Sequence, residues 1–338
     1  MRRTLPAFSA GLLSLGLVAA PAVAQDDGLD RIELPNGWAP EGITTDGERL
    51  YAGSLANGAI LTADPATGTT EVLVEGAEGD VVAGIDWDEA GRLWAAGANS
   101  GEVRAYDAKT GELLEAYPFE AGFLNDAVVT PEAVYISDSF VPQVAVVPLG
   151  DDGALPAPEE AFVLPITGDL QYGEGFNANG IAATSAGLVL IHSGEGQLYR
   201  VDPATGASTL IDTGEAVLTA GDGLELVDQT LYVMRNRVGP SVVGEIVAVE
   251  LDEDLTTGEV AGMVASEDWD VSTTVAAIGD DLWSHCTSAN EDPVAGRLHC
   301  GNRRILGSEE AVFVGPDAQG IGKLDGPVAG SGGKRKHY

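Results

Sequence analysis

Pro40-Glu41-Gly42-Ile43-Thr44-Thr45-Asp46-Gly47-Glu48-Arg49-Leu50-Tyr51 holds two short strand-like runs joined by an Asp-Gly turn signal, and the second run closes on a large side chain. Such a stretch reads as a β-hairpin. The same frame returns five times: Gly84-Ile85-Asp86 to Leu93-Trp94, Asn125-Asp126-Ala127 to Val134-Tyr135, Asn179-Gly180-Ile181 to Leu188-Val189, Asp222-Gly223-Leu224 to Leu231-Tyr232, and Thr273-Thr274-Val275 to Leu282-Trp283. In each copy ten residues separate the first position from the closing side chain. The copies start 43, 41, 54, 43 and 51 residues apart. That spacing is the length of a four-stranded propeller blade, and six such units close a ring. The sequence therefore predicts an all-β chain, a six-bladed β-propeller of four-stranded antiparallel blades. Parallel β-helix rungs are shorter, and the leucine-rich repeat pattern is absent.

Further marks agree. Thirteen residues after the closing side chains of three units stand Asp64-Pro-Ala-Thr-Gly68, Asp107-Ala-Lys-Thr-Gly111 and Asp202-Pro-Ala-Thr-Gly206, read as tight turns in which glycine supplies a positive φ. Asp254-Leu-Thr-Thr-Gly258 is expected to repeat this turn in the fifth unit, after a longer loop. The two long intervals hold the proline-rich loop from Pro148 to Pro165 and the loop from Arg235 to Gly244. With 45 glycines and no sustained helical period, little of the chain suits helices.

Both ends fall outside the repeat. Arg2 and Arg3, an apolar run from Leu5 to Ala20 and the small-residue segment Pro21-Ala22-Val23-Ala24 read as a signal peptide over residues 1–24. Export, to the periplasm or the medium, is the expectation. Residues 25–320 then form the propeller, and 321–338 a flexible tail. No later segment is apolar for long enough to span a bilayer. The formal charge of −36, which moves to about −38 without Arg2 and Arg3, repels nucleic acid phosphates and anionic membranes. It favours solubility and cations. Oligomeric state is not legible.

The chain has two cysteines, Cys286 and Cys300, on runs joined by the polar loop from Ala289 to Gly296. Folding that hairpin about its loop sets them nearly opposite, so a disulfide is expected, with free thiols as the next alternative. His285 and His299 raise a Cys/His zinc site, but neighbouring strand residues face opposite ways, which separates each histidine from its adjacent cysteine.

In a propeller the first strand of each blade runs along the central channel. The first positions of the six units, Glu41, Gly84, Asn125, Asn179, Asp222 and Thr273, therefore form a ring about the axis. Glu41, Asn125, Asn179 and Asp222 bring two carboxylates and two carboxamides to one point. Gathering them is costly unless something compensates. A hard divalent cation does so through oxygen ligands, and calcium accepts this mixture in a loose shell. Magnesium wants stricter octahedral geometry, and zinc wants His or Cys. The plainer alternative is that the four cap turns, as Asn-Gly and Asp-Gly pairs often do.

The motifs Ala39-Pro40-Glu41-Gly42, Asn125-Asp126, Asn177-Ala178-Asn179-Gly180 and Gly221-Asp222-Gly223, in this order and register, resemble the SMP-30/gluconolactonase superfamily of calcium-dependent six-bladed propellers, to which diisopropyl fluorophosphatase and the paraoxonases are related. The likeness spans roughly residues 30 to 315. It implies Glu41, Asn179 and Asp222 as direct ligands of Ca2+, and Asn125 as a fourth ligand or as the holder of a metal-bound water and the substrate. It implies hydrolysis of a lactone or related ester, with the cation polarising the carbonyl and Asp222 activating water or attacking directly. Gluconolactonase-type members usually carry an arginine two residues before the third-blade asparagine. Here that position is Phe123, which points to a less polar substrate than a sugar lactone. Phe123, Tyr172 and Phe176 precede ring residues and are candidates to line the pocket mouth. His192, on the second strand of the fourth unit, reads as an ordinary strand histidine. The competing readings are a non-catalytic propeller that binds a ligand or protein around a structural calcium, and another reaction on the same scaffold, such as phosphotriester cleavage or a strictosidine-synthase-like condensation. No Ser-His-Asp set, lysine or cysteine arrangement suggests covalent catalysis, and nothing points to haem, flavin, nucleotide or redox metal.

Overall fold

The computed structural model describes residues 29, 31–150, 153–236, 244–266, 271–287 and 296–302. The proposed signal peptide, residues 303–338 and most of the loop after Cys286 lie outside these residues. The described residues form six sheets. Blade one holds Pro40–Thr45, Leu50–Ser54, Ile60–Ala63 and Thr70–Val74. Blade two holds Ile85–Asp88, Arg92–Ala96, Glu102–Asp107 and Leu113–Pro118. Blade three holds Leu124–Val129, Ala133–Asp138, Gln143–Pro148 and Phe162–Pro165. Blade four holds Ala178–Thr184, Gly187–His192, Gln197–Val201 and Ala207–Ile211, with the short Thr167–Gly168 paired parallel at its outer edge. Blade five holds Gly221–Val227, Thr230–Arg235, Gly244–Leu251 and Gly258–Ser266. Each inner strand touches the next, and the sixth touches the first, so the ring is closed.

Blade six closes the circle. Its inner three strands are Val275–Ile278, Asp281–Thr287 and Gly296–Asn302, and its outer strand is Arg31–Glu33 from the other end of the chain, with Arg31 opposite His299. The first and last of the described strands thus share one sheet.

The ten-residue register has a packing cause. Successive strand residues point to opposite faces of a sheet, and each blade packs a different neighbour on each face. The closing residues Tyr51, Trp94, Tyr135, Val189, Tyr232 and Trp283 each pack at the interface with the following blade. The residues just before them, Leu50, Leu93, Val134, Leu188, Leu231 and Leu282, pack at the interface with the preceding blade. Among the described residues there are six apolar clusters, one per blade interface. The core is therefore a ring of six patches around a polar axis. Burying one Leu, Tyr or Trp side chain in such a patch contributes roughly 2–3 kcal/mol.

Two sequence expectations need correction. Gly68, Gly111 and Gly206 have φ of +72°, +71° and +72°, as the turn reading required. In blade five, however, the capping role falls to Asp252, whose Oδ1 accepts the backbone N–H of Thr256 and Thr257 at 2.7 and 2.8 Å, and Leu255 carries the positive φ of +54°. Asp254 and Gly258 do not repeat the motif, because Gly258 already begins the outer strand. The cysteines are not cross-strand neighbours either: Cys286 stands opposite Arg297 and Cys300 opposite Trp283. That offset of three ladder steps corresponds to about 10 Å along the strand, beyond the reach of a disulfide. Pairing them needs the hairpin to slip. Their side chains, and that of His299, lie outside the described residues. No helix among the described residues is long and apolar enough to cross a membrane.

Candidate functional site

The inner strands of four blades carry a β-bulge at one place. The pairing steps from Pro40↔Ser54 to Ile43↔Ala52, from Leu124↔Asp138 to Ala127↔Ile136, from Ala178↔His192 to Ile181↔Leu190, and from Gly221↔Arg235 to Leu224↔Val233. The bulged residues are Glu41 and Gly42, Asn125 and Asp126, Asn179 and Gly180, Asp222 and Gly223. In blades two and six the paired ladder begins only at Ile85 and Val275, past the ring position. A bulge re-aims a side chain and strengthens the local twist. The four oxygen-bearing ring residues thus share a backbone device, and they are not turn caps.

Three of the glycines that follow ring residues are explained by crowding. A Cβ on Gly42 would sit 2.3 Å from the Ala83 carbonyl oxygen, on Gly180 2.2 Å from the Asp222 carbonyl oxygen, and on Gly223 2.6 Å from Thr274 Oγ1. Neighbouring inner strands approach too closely for a side chain. Only blade three differs among the bulged blades, and its residue, Asp126, enters the channel.

Glu41, Asn179 and Asp222 meet across the axis. Burial, and then the charges of Asp222 and Asp126, raise the Glu41 carboxyl well above the ordinary carboxylate range. Burial and the charge of Asp126 raise Asp222 in the same way, while hydrogen bonds from Asn179 and Asn236 oppose the rise. Glu41 and Asp222 belong to blades one and five, so their interaction spans the channel. Asn125, buried on blade three, turns its Nδ2 to Ser139 Oγ at 2.9 Å, and Asn179 turns its Nδ2 to Ser193 Oγ at 3.0 Å. Asn236 donates to Asp222 Oδ2. Ser139, Ser193 and Asn236 each lie fourteen residues after the ring residue that they hold. The sequence reading missed these three, although the fixed offset was there to be found.

Asp126 was also missed as a functional residue. Its Oδ1 accepts Ala127 N–H at 2.9 Å and its Oδ2 accepts Ile181 N–H at 3.3 Å, tying blade three to blade four. Burial pushes it up to about 7, and burial also pushes Asp86, further along the channel, up to about 6. Asp86 and Asp126 line a cavity of about 150 Å³ with Thr44, Glu225 and Thr274. His285 stands at the ring. It is fully buried, and its Nε2 donates to the Glu41 carbonyl oxygen beside Thr273, whose hydroxyl donates to the same oxygen at 2.8 Å. Burial lowers it to about 4, so it is neutral at physiological pH. It props the Glu41 backbone. His192 is buried at the end of its strand, and its Nδ1 accepts Glu195 N–H at 3.1 Å.

Asn179 Oδ1 is buried and has no hydrogen-bond partner among the described residues. An orphaned buried acceptor beside two carboxylates that oppose each other's ionisation suits an oxygen-coordinated divalent cation. No three His, Cys, Asp or Glu side chains form a metal-holding group among the described residues, so any cation here depends on the carboxamides.

Beside the ring lie three phenylalanines. Phe123 is half-buried, and Phe140 and Phe176 are each 45% exposed. Their ring centroids are 5.7, 5.4 and 4.9 Å apart pairwise. Phe140, which follows Ser139, was not singled out from the sequence. Tyr172 goes elsewhere: it packs on the interface core of blades three and four and donates its hydroxyl to the Asp138 carbonyl oxygen at 2.6 Å.

Fold and site together define a six-bladed β-propeller with a ring of buried and half-buried acids and amides at the head of its inner strands. No protein-family model matches the chain, and no curated protein matches it. Among solved structures it is similar to the Malassezia sympodialis allergen Mala s 1, with 14% identity and a TM-score of 0.62 over 84% of this chain and 99% of that one. It is similar to virginiamycin B lyase from Staphylococcus aureus, at 13% identity and a TM-score of 0.53 over 81% of this chain and 88% of that one. It is also similar to the Cps50 (Swd1) β-propeller domain of Myceliophteria thermophila, at 15% identity and a TM-score of 0.53 over 81% of this chain and 86% of that one. Identities this low carry the fold alone.

Proposed function

We propose that the chain is an exported, calcium-type hydrolase of a lactone or related ester, working at the axial ring. The observation that carries this reading is the unpartnered, buried Asn179 Oδ1 set beside Glu41 and Asp222, two acids that burial and mutual charge hold back from ionising. A divalent cation, when bound, supplies the neutralising charge and a Lewis acid for a carbonyl oxygen. Ser139 and Ser193 each accept a hydrogen bond from the amide nitrogen of Asn125 and Asn179 and so fix the two carboxamides, with Asn179 Oδ1 left unpartnered among the described residues. Asn236 steadies Asp222 through Oδ2. Asp222 then takes a proton from the attacking water or attacks the carbonyl carbon itself. The four motifs that resemble the SMP-30/gluconolactonase superfamily support the same assignment.

The test is metal analysis of the purified protein, followed by a screen of lactones and aryl esters with and without EDTA. Turnover abolished by EDTA, restored by calcium and lowered at least 100-fold in Asp222→Asn is the expected result. Saturable capture of a ligand without turnover, unaltered by Asp222→Asn, selects instead the binding propeller with a structural calcium, a reading favoured by the exposed aromatic group, which needs no cation to bind.

A further inference from the structure

We propose that Phe123, Phe140 and Phe176 form the wall that selects the substrate, and that they take a neutral aromatic group carried by the ester; this rests on the hydrolase reading above. Three observations meet here. The first is position. Phe140 follows Ser139, the residue that holds Asn125, while Phe123 stands two residues before Asn125 and Phe176 three before Asn179. An aromatic group resting on this wall therefore lies beside the ring.

The second is rigidity. The fully buried Asp138 carboxylate accepts the backbone N–H of Gly122 at 2.8 Å, of Phe123, Phe140 and Val141 at 3.0 Å each, and the Gln143 side-chain amide at 3.0 Å. One carboxylate thus pins both loops that carry Phe123 and Phe140. Asn177 pins the third: its Nδ2 donates to the carbonyls of Ser139 at 3.1 Å and Gly175 at 2.8 Å, and its Oδ1 accepts Gly173 N–H at 2.6 Å. Exposed aromatic side chains held this firmly are preorganised for a ligand and lose little entropy when it arrives.

The third is chemistry. Phe123 meets Phe140 and Phe176 at 64° and 83°, edge to face, so the group offers ring edges and faces at the 5–6 Å spacing that suits one further aromatic ring. The formal charge of −36 disfavours anionic ligands, and edge-to-face packing of uncharged rings suits an uncharged arene, the proposed occupant. Asp138 and Asn177 are positioning residues, since they act through the phenylalanines.

The probe for binding is the non-hydrolysable ether 2-methoxynaphthalene, followed by saturation-transfer NMR in EDTA and again in calcium. We expect saturable binding in both conditions. Phe140→Ala and Phe176→Ala should each weaken it about tenfold. Val217→Ala and Met263→Ala, at exposed apolar positions of a different surface lined by blade five and the segment before it, should leave it unchanged. Phe140→Leu, which keeps bulk without the π face, covers the case in which alanine disturbs the loop, and it should weaken binding less. For catalysis, the preference for 2-naphthyl acetate over methyl acetate, taken as the ratio of kcat/KM, should fall about tenfold in Phe140→Ala through KM. Unaltered binding and preference in the Phe140 and Phe176 variants, or equal losses in the Val217 variant, would overturn the wall. Absence of turnover with both esters, alongside phenylalanine-dependent binding, would sink the hydrolase reading and leave the aromatic site standing.

Discussion

At the scale of single residues, the ring is a set of acids kept from ionising by their own fold. Burial raises Glu41 and Asp222 above the carboxylate range, with Asp126 at about 7 and Asp86 at about 6, against about 4 in the unfolded chain. A raised folded-state pKa means the native state binds protons more tightly. The stability tied to it is complete below about pH 4 and is lost as pH climbs through 6 and 7. In EDTA, the melting temperature is therefore expected to fall between pH 5 and pH 8, and calcium should restore it at pH 8. Glu41→Gln and Asp222→Asn should flatten the profile; an unchanged pH slope in both would show the ring carries no such cost. Asn236 invites a second test. Removing the side chain that holds Asp222 Oδ2 in Asn236→Ala should lower calcium affinity or kcat/KM by about 10–100-fold, as loss of a group that orients a ligand does. Calorimetric titration with calcium reads the first quantity and ester turnover the second.

At the scale of elements, the bulge matters more than the strand. Four inner strands spend one extra residue at the ring, and the residue after it must be small wherever the neighbouring strand crowds it. Gly180→Ala places a Cβ against the Asp222 carbonyl oxygen and should destabilise the chain by about 1–3 kcal/mol while displacing Asp222. Thermal melting and calcium titration should change together. By contrast, Trp94→Ala removes the fully buried closing residue of blade two, which lies on the second strand and packs between blades two and three, and should cost about 3–5 kcal/mol with calcium affinity per folded molecule preserved. Equal effects of the two variants on affinity would undo the claim that the bulge, rather than general stability, places the ring.

At the scale of the whole molecule, closure is the deciding event. Blade six takes its outer strand, Arg31–Glu33, from the far end of the chain, and Ile32 and Leu34 pack into the cluster between blades six and one. That clasp joins the blade carrying His285 to the blade carrying Glu41, the residue whose carbonyl His285 supports. Deleting residues 25–34 should lower the melting temperature and weaken any calcium binding at the ring, because His285 and the Glu41 backbone that it props are then no longer held in one sheet-to-sheet contact. Hydrogen exchange should show the loss of protection concentrated in Gly296–Asn302, the strand to which Arg31–Glu33 pairs, and in Pro40–Thr45.

How much of this was legible in the chain follows from what is local. Alternation along a strand is local, so the ten-residue register foretold both the number of blades and the residues that pack between them, and the first position of each unit named the ring. The offset of fourteen to Ser139, Ser193 and Asn236 was equally local and readable. Other features depend on where one strand lies against another. The bulges, the entry of Asp126 into the channel, the gathering of Phe140 with Phe123 and Phe176, the exchange of Asp254 for Asp252 and the three-step offset of the cysteines are all of this kind. A three-residue clasp such as Arg31–Glu33 carries too little pattern to be read alone, and acids on separate blades repel one another only after the ring has closed.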